Sequence, residues 1–523
     1  MGQNLGTIAF TNVNVIPMDR QRLLENQTVI VEGDRIAAVS PADEVIIPEE
    51  AELVEGSGAY LMPGLADMHI HIESIRRTFE GPDQLLLYLA EGVTTVRNMS
   101  ALPEHLTWAD DIARGERFGP TLYNGRMIVG LPDEMRSMTR TFRAIVVLGP
   151  LLTGLIIWLL VWAGMSLSGN RAQFVSLSPF IPPTLGLLSL LGIVAAWLKI
   201  IPLNVYTSRF LPFTMVAETG AEARRYVRQI MKEGYDFVKL YDWLPVDAYL
   251  TAADEARKRH FYAVGHLLDE LSLRAIFEGG LREAAHMDEF IDSHMIGEAS
   301  PRTGFNEIAF DYETIPQSAA LAKAYNVLVV SNMVADETIY KLLEDPAGGL
   351  AQPEYAVVPA PVLEAWQTSG RLVNWQAQTD WRRHTLQPFL MAMTKSLYDA
   401  GVPLLIGTDM TVEGMVPAHI HRDLELLVEA GLTPFAALEA ATKNAGISAQ
   451  RMGRGGAFGT VAVGQRADLI LLKKNPLENV SHSRRRLGVM VRGRWFTQSE
   501  LDFLVNDYVT SLRAKGLAGK NHG

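Results

Sequence analysis

From about residue 61 to about residue 450, apolar strand-like runs alternate with amphipathic helix-like stretches. That alternation is the pattern of a parallel β/α barrel, in which each strand is covered by the helix that follows it. Both flanks read differently. Residues 1–60 and 455–497 are short β-rich runs broken by turns, so the two chain ends are expected to pair into a small β-sandwich beside the barrel. Residues 498–523 read as a C-terminal helix and a polar tail. The fold expected is therefore α/β: a (β/α)8 TIM-like barrel at 61–450 with a sandwich built from both ends. A chain of 523 residues suits such a barrel with accessory pieces.

One segment breaks the alternation. Residues 144–167 carry no charge and exceed the roughly 20 residues needed to cross a bilayer. A second uncharged run covers 183–198, and its apolar character continues past Lys199 to Leu203. A short polar link around Ser168, Gly169, Asn170 and Arg171 separates them. The expectation is an inserted two-helix transmembrane hairpin at 144–203. The alternative is a pair of long apolar lid helices buried in an oligomer. Arg136, Arg140 and Arg143 precede the first run, and Lys199 and Arg209 flank the second, against Arg171 alone in the link. By the positive-inside tendency this puts the barrel in the cytoplasm of an integral inner-membrane protein. Residues 1–20 lack the basic-then-apolar pattern of a signal peptide and read as a strand.

A formal net charge of -12 argues against nucleic acid as a partner. The chain has no cysteine, so any metal must sit on nitrogen and oxygen. Candidate ligands stand on the apolar runs. Residues 63–71 (PGLADMHIH) read as a strand whose alternation puts His69 and His71 on one face. In 237–241 (FVKLY), Lys239 shares a face with Phe237 and Tyr241, while Val238 and Leu240 share the other. A lysine facing a barrel interior is costly unless neutralised or paired. Carbamylation by carbon dioxide would make it an anionic bridge between two metals; an ordinary pairing with a nearby acid is the alternative. Residues 262–266 and 282–286 end in His266 and His286, and 403–409 (PLLIGTD) ends in Asp409. Each run alone is unremarkable. Together they place His-x-His, Lys, His, His and Asp in order on successive strands, at the face where barrel sites form.

These motifs resemble the amidohydrolase superfamily, and within it the branch of imidazolonepropionase-like enzymes and metal-dependent Xaa-Pro dipeptidases. The stretches that carry the resemblance are 63–71, 92–98 (GVTTVRN), 238–241, the two histidine runs, 407–409, 429–434 (EAGLTP) and 467–469 (ADL). It covers nearly the whole chain except about residues 131–215. It implies two divalent metal ions, with zinc expected. His69, His71 and Asp409 would hold one, His266 and His286 the other, and Lys239, carboxylated by carbon dioxide, would bridge them. It further implies that Asp409 moves a proton and that Tyr241 touches substrate. His419 and His421 follow the last barrel strand and are further candidates, with His421 taken as a substrate contact; surface-helix positions are the alternative. Arg76 and Arg77 are weighed as carboxylate binders against solvated loop arginines.

The function expected is hydrolysis of a small-molecule amide: an N-acyl amino acid, another amphipathic and lipid-derived amide reaching the site from the bilayer, or a dipeptide. Other reactions on the same fold stay open: cyclic-amide, lactone or phosphotriester hydrolysis, or deamination. So does a non-catalytic membrane scaffold. A homo-oligomer is expected.

Overall fold

The computed structural model describes residues 6–72, 85–131, 163, 214–297, 308–368, 372, 375–409, 416–453 and 457–517. The expected hairpin at 144–203 lies outside these residues, apart from Ala163, as do Arg76 and Arg77. Among the described residues no helix is long and apolar enough to cross a membrane.

The chain opens with β1 (Thr7–Val15), β2 (Leu24–Glu32), β3 (Arg35–Pro41), β4 (Glu52–Glu55) and β5 (Tyr60–Pro63). It then enters the barrel with β6 (Leu65–Ile70), β7 (Val93–Asn98) and β8 (Thr121–Val129). Next come β9 (Thr214–Val216), β10 (Phe237–Leu240), β11 (Tyr262–Gly265) and β12 (Glu283–Ala284). A small antiparallel pair, β13 (Met295–Ile296) and β14 (Ala309–Phe310), precedes β15 (Leu328–Val330) and β16 (Leu404–Leu405). The barrel order is β6-β7-β8-β10-β11-β12-β15-β16, all parallel, with β9 beside β8. Met68 N donates to Ile406 O at 2.8 Å and Asp409 N to His69 O at 2.9 Å, which joins the last strand to the first. The result is an α/β fold around a parallel barrel of the TIM type.

Strand alternation sorts the barrel side chains as the sequence predicts. Phe237, Val264 and Leu405 fill the interior, while Val238, Leu240, Leu404 and Ile406 pack outward against the helices. Deeper in the interior the fully buried Arg97 pairs with Glu283, and Tyr262 Oη and Ser448 Oγ also donate to that carboxylate, at 3.0 and 2.9 Å. Removing one partner of such a pair costs about 3–5 kcal/mol, because the other charge stays buried alone. The pair therefore ties β7 and β12 to the helix Lys443–Arg451 beneath them.

After the barrel, β17 (Leu469–Leu472), β18 (Arg486–Val491) and β19 (Arg494–Thr497) return to the first sheet, giving the order β19-β18-β17-β5-β1-β2-β3 with β4 on β1. The expected sandwich is thus one eight-stranded sheet. Its seam lies at Pro63 rather than residue 60, because β5 pairs with β17, Met62 opposite Ile470. Both faces are covered. Phe10, Val29, Leu61, Leu469 and Met490 form its own core, while Met62, Ile470 and Val489 join the barrel's outer core. The helix Gln498–Ala514 closes the fold, with Thr497 and Glu500 forming a reciprocal capping box.

Candidate metal centre

A phase change in β6 builds the first half of the site. Ala66 and Met68 point into the barrel, so strict alternation would turn Ile70 inward as well. Instead the register shifts between Asp67 and Ile70, and Ile70 packs into the outer core. The shift turns His69 and His71 inward at the strand end. Asp67 fixes the arrangement by accepting from His69 N at 3.2 Å, Thr408 N at 3.1 Å and Thr408 Oγ1 at 2.6 Å. Gly407 lets the two chains approach: a Cβ there would lie 2.5 Å from Val330 and 2.6 Å from the His69 Cβ. Asp409 then follows with φ +51°, a left-handed conformation that Asp tolerates better than most residues.

The groups so gathered are His69, His71 and Asp409, all buried, with ligand atoms within 4.8 Å of one another. His69 Nδ1 meets the Ala285 carbonyl oxygen at 2.9 Å. A carbonyl only accepts, so the proton is on Nδ1 and Nε2 presents a lone pair. That Nε2 lies 3.2 Å from His71 Nε2 and 3.6 Å from Asp409 Oδ1, which is itself 3.4 Å from His71 Nε2. His71 Nδ1 is held by the Ser100 hydroxyl. Burial and the nearby Lys239 keep His69 well below the usual imidazole range. Burial acts to raise Asp409, but the surrounding imidazoles outweigh it and hold the carboxyl well below the usual range. Neutral imidazole nitrogens converging with a carboxylate suit a cation.

A second group lies beside the first. His266, His286 and Glu289 also bring ligand atoms within 4.8 Å of one another. His266 Nδ1 is 2.8 Å from Asp242 and 2.9 Å from Glu289, and its buried Nε2 makes no hydrogen bond. Burial alone would lower His266, but Glu289 and Asp242 outweigh it and raise the ring to about 9. His286 Nδ1 lies 3.6 Å from Asp409 Oδ2, so the two groups meet at that carboxylate. Lys239 belongs to both by position. It is fully buried, and its Nζ makes no hydrogen bond. Burial pulls it down to about 8, against the opposing pull of Asp409, Glu289 and Asp242. An orphaned buried amine among imidazole and carboxylate donors fits a pair of bound cations, because borderline divalent ions such as zinc take nitrogen and oxygen ligands.

His71, Tyr241, His266, His286 and Asp409 all line one cavity of about 640 Å³. Met127, Val129, Ile339 and Trp375 form apolar parts of its wall. Arg382 also reaches it, paired with Asp336 and lying 4.6 Å from the Trp375 ring centre. Val129 and Thr214, next to the two ends of segment 132–213, line the same cavity. Tyr241 stands with its ring 4.3 Å from that of His266.

His421 is a correction. It is fully buried away from the cavity, under β18. Arg486 can only donate, and its Nη1 lies 3.0 Å from His421 Nε2, so the imidazole accepts there and donates from Nδ1 to Ser483 Oγ at 2.8 Å. Burial lowers the ring to about 4, consistent with that neutral form. With both nitrogens engaged in packing the barrel against the small sheet, it has nothing to offer a substrate. His419 likewise stays at its helix start, where Nδ1 accepts from Val416 N at 3.4 Å. Asp242, Glu289 and Asn332 are cavity residues that the sequence reading missed. The available signals were an acid directly after Tyr241 and two acids shortly after His286.

The model of the amidohydrolase family matches residues 214–496. An adenine deaminase of Staphylothermus marinus is 35% identical over 97 residues, covering 18% of this chain and 16% of that protein. The chain thus spans only about a sixth of the length of the curated relatives it matches. Among solved structures, a Xaa-Pro dipeptidase with bound methionine in its active site superposes with a TM-score of 0.60 at 15% identity, over 94% of this chain and 100% of the other. A bottromycin amidohydrolase does so with a TM-score of 0.63 at 18% identity, over 97% and 90%. At these identities the structural likeness speaks for the fold.

Proposed function

This chain belongs to the amidohydrolase family, and from that premise we propose that it is a binuclear metal-dependent hydrolase cleaving the amide bond of an amphipathic substrate such as an N-acyl amino acid. The observation that carries the reading is the pair of ligand groups meeting at Asp409, with the buried Lys239, whose Nζ makes no hydrogen bond, interacting with Asp409 of one and Glu289 of the other. His69, His71 and Asp409 would hold one ion and His266 and His286 the other. Two zinc ions there would supply hydroxide near neutral pH and polarise a carbonyl. Lys239 would bridge them as a carbamate. With the ammonium pulled down to about 8, part of the lysine is a neutral amine near neutral pH. That nitrogen would add to the carbon of carbon dioxide, forming the N–C bond as one C=O π pair moves to oxygen and one proton leaves the nitrogen.

Asp409 takes the proton of the attacking water and delivers it to the leaving nitrogen as the amide C–N bond breaks. His71 keeps its orientation through Ser100, and Glu289 orients His266 while accepting from Leu267 N at 2.9 Å with its other oxygen. Tyr241 touches the substrate from the wall beside His266. The apolar stretch of Met127, Val129, Ile339 and Trp375 suits an acyl chain.

The uncharged runs within 144–203 support anchoring by two membrane spans with the barrel on the cytoplasmic side. Val129 and Thr214, described residues near the two ends of the segment that contains them, line the cavity, which favours a lipid-derived amide entering from the bilayer. A second reading, cleavage of a dipeptide with the hairpin only an anchor, is favoured by Asp288 on the cavity wall, whose buried Oδ1 makes no hydrogen bond, since a carboxylate suits a free amine.

One set of measurements separates these readings. Membrane-embedded protein carrying Asn170→Cys should label from the outer side, and protein carrying Arg136→Cys from the cytoplasmic side. Against a panel of dipeptides and N-acyl amino acids, kcat/KM should rise with acyl length over the short-chain range, by up to about fourfold per buried methylene, the equivalent of about 0.8 kcal/mol. A flat or falling dependence leaves the dipeptide reading and defeats the lipid one.

A further inference from the structure

Asn332 sits two residues beyond β15, with φ +37°. It occupies the N-cap position of the helix Met333–Glu344, yet its side chain makes no capping bond. The side chain is turned the other way. Its Oδ1 accepts from Met287 N at 3.1 Å, which fixes the orientation of the amide. The NH2 group therefore faces His286, with Nδ2 3.0 Å from Nδ1 of that ring. An amide nitrogen carries two hydrogens. One points at His286 Nδ1, whose lone pair a bound ion would take over, and the other has no partner among the described residues. The side chain is 5% exposed and lines the cavity.

A left-handed asparagine is ordinarily explained by the turn it makes, since Asn is enriched there. Here the turn needs only the backbone. The amide is instead held by a neighbouring strand end, with a spare N–H beside the ligand atom of His286. A buried donor fixed in advance is the arrangement that stabilises charge developing on a carbonyl oxygen.

We propose that Asn332 is a substrate-contacting residue whose free N–H donates to the carbonyl oxygen of the bound amide. As hydroxide adds to the carbonyl carbon, the π electrons move to that oxygen, and the N–H holds the negative charge until the C–N bond breaks. This rests on the hydrolytic reading above. It adds a donor from the protein itself, on the cavity that Tyr241 also lines and outside the six candidate ligands.

Two variants test it. Asn332→Asp keeps the acceptor for Met287 N and the left-handed backbone but loses the donor. Asn332→Gly keeps the backbone and adds no charge. With the best amide of the panel, both should lose about 10²–10³ in kcat, the cost of one such donor, with KM within about threefold and metal content unchanged. Wild-type kcat in either variant overturns the proposal. Loss of metal from both also overturns it, because Asn332 would then act by positioning His286. The second readout needs no substrate: inorganic phosphate, a tetrahedral oxyanion, is titrated calorimetrically into zinc-loaded protein. It should bind the Gly variant at least about tenfold more weakly than wild type, the equivalent of one charge-assisted hydrogen bond. Equal phosphate affinity, or none in either protein, overturns the proposal. A weaker Gly variant in a protein that cleaves no amide of the panel would support Asn332 while removing the hydrolytic reading.

Discussion

Replacing Lys239 with alanine should abolish turnover and strip metal from the protein, with partial return of both on adding short-chain carboxylic acids. The lysine is fully buried and its Nζ makes no hydrogen bond; its charge acts on the candidate ligands around it, lowering His69 and His286. Burying an ammonium without a partner is unfavourable, so the metal-free alanine protein should be no less stable than the wild type in a denaturant titration. The loss therefore falls on the metal centre. Removing an anionic bridge forfeits several kcal/mol of charge stabilisation, which corresponds to a fall in kcat of about three orders of magnitude or more. Acetate or propionate can place a carboxylate in the vacated volume, and so should restore a measurable fraction. Full activity of the variant without rescue would remove the lysine from the mechanism.

The second large effect is expected at Asp409. Asp409→Asn keeps the size of the side chain, and asparagine tolerates φ +51° as well as aspartate does. Secondary structure and most of the metal should therefore survive. What is lost is the ability to accept a proton, at the carboxylate where the two ligand groups meet. Turnover should fall by about two to four orders of magnitude, the scale of positioned acid–base groups. Wild-type turnover in this variant would end the assignment of Asp409 as proton carrier.

Local rules carried much of this reading. Period-two alternation places Lys239 on the interior face with Phe237, as found. What stayed hidden depends on partners remote in sequence. The register shift in β6 is set by Asp67 meeting Thr408, so periodicity alone cannot show why both histidines turn inward past Met68. His421 sits at the start of a helix that follows the last barrel strand, and reads as a site residue for that reason. Its real partners, Ser483 and Arg486, come from the chain's return to the small sheet. Glu289 reaches the second group only because a 3-10 turn, Asp288–Phe290, folds back after β12. The single sheet shared by both ends follows from β5 pairing with β17, a contact that neither stretch announces by itself.

The central claim is a two-ion centre, and metal content tests it most directly. Full-length protein, purified without chelator and reconstituted with zinc and bicarbonate, should hold about two metal ions per chain by elemental analysis, the number that a paired site for activating water and polarising a carbonyl requires. Retention should survive desalting. A content near zero would leave the ligand groups as a structural relic of the fold, and a value near one would contradict the bridging role of Lys239.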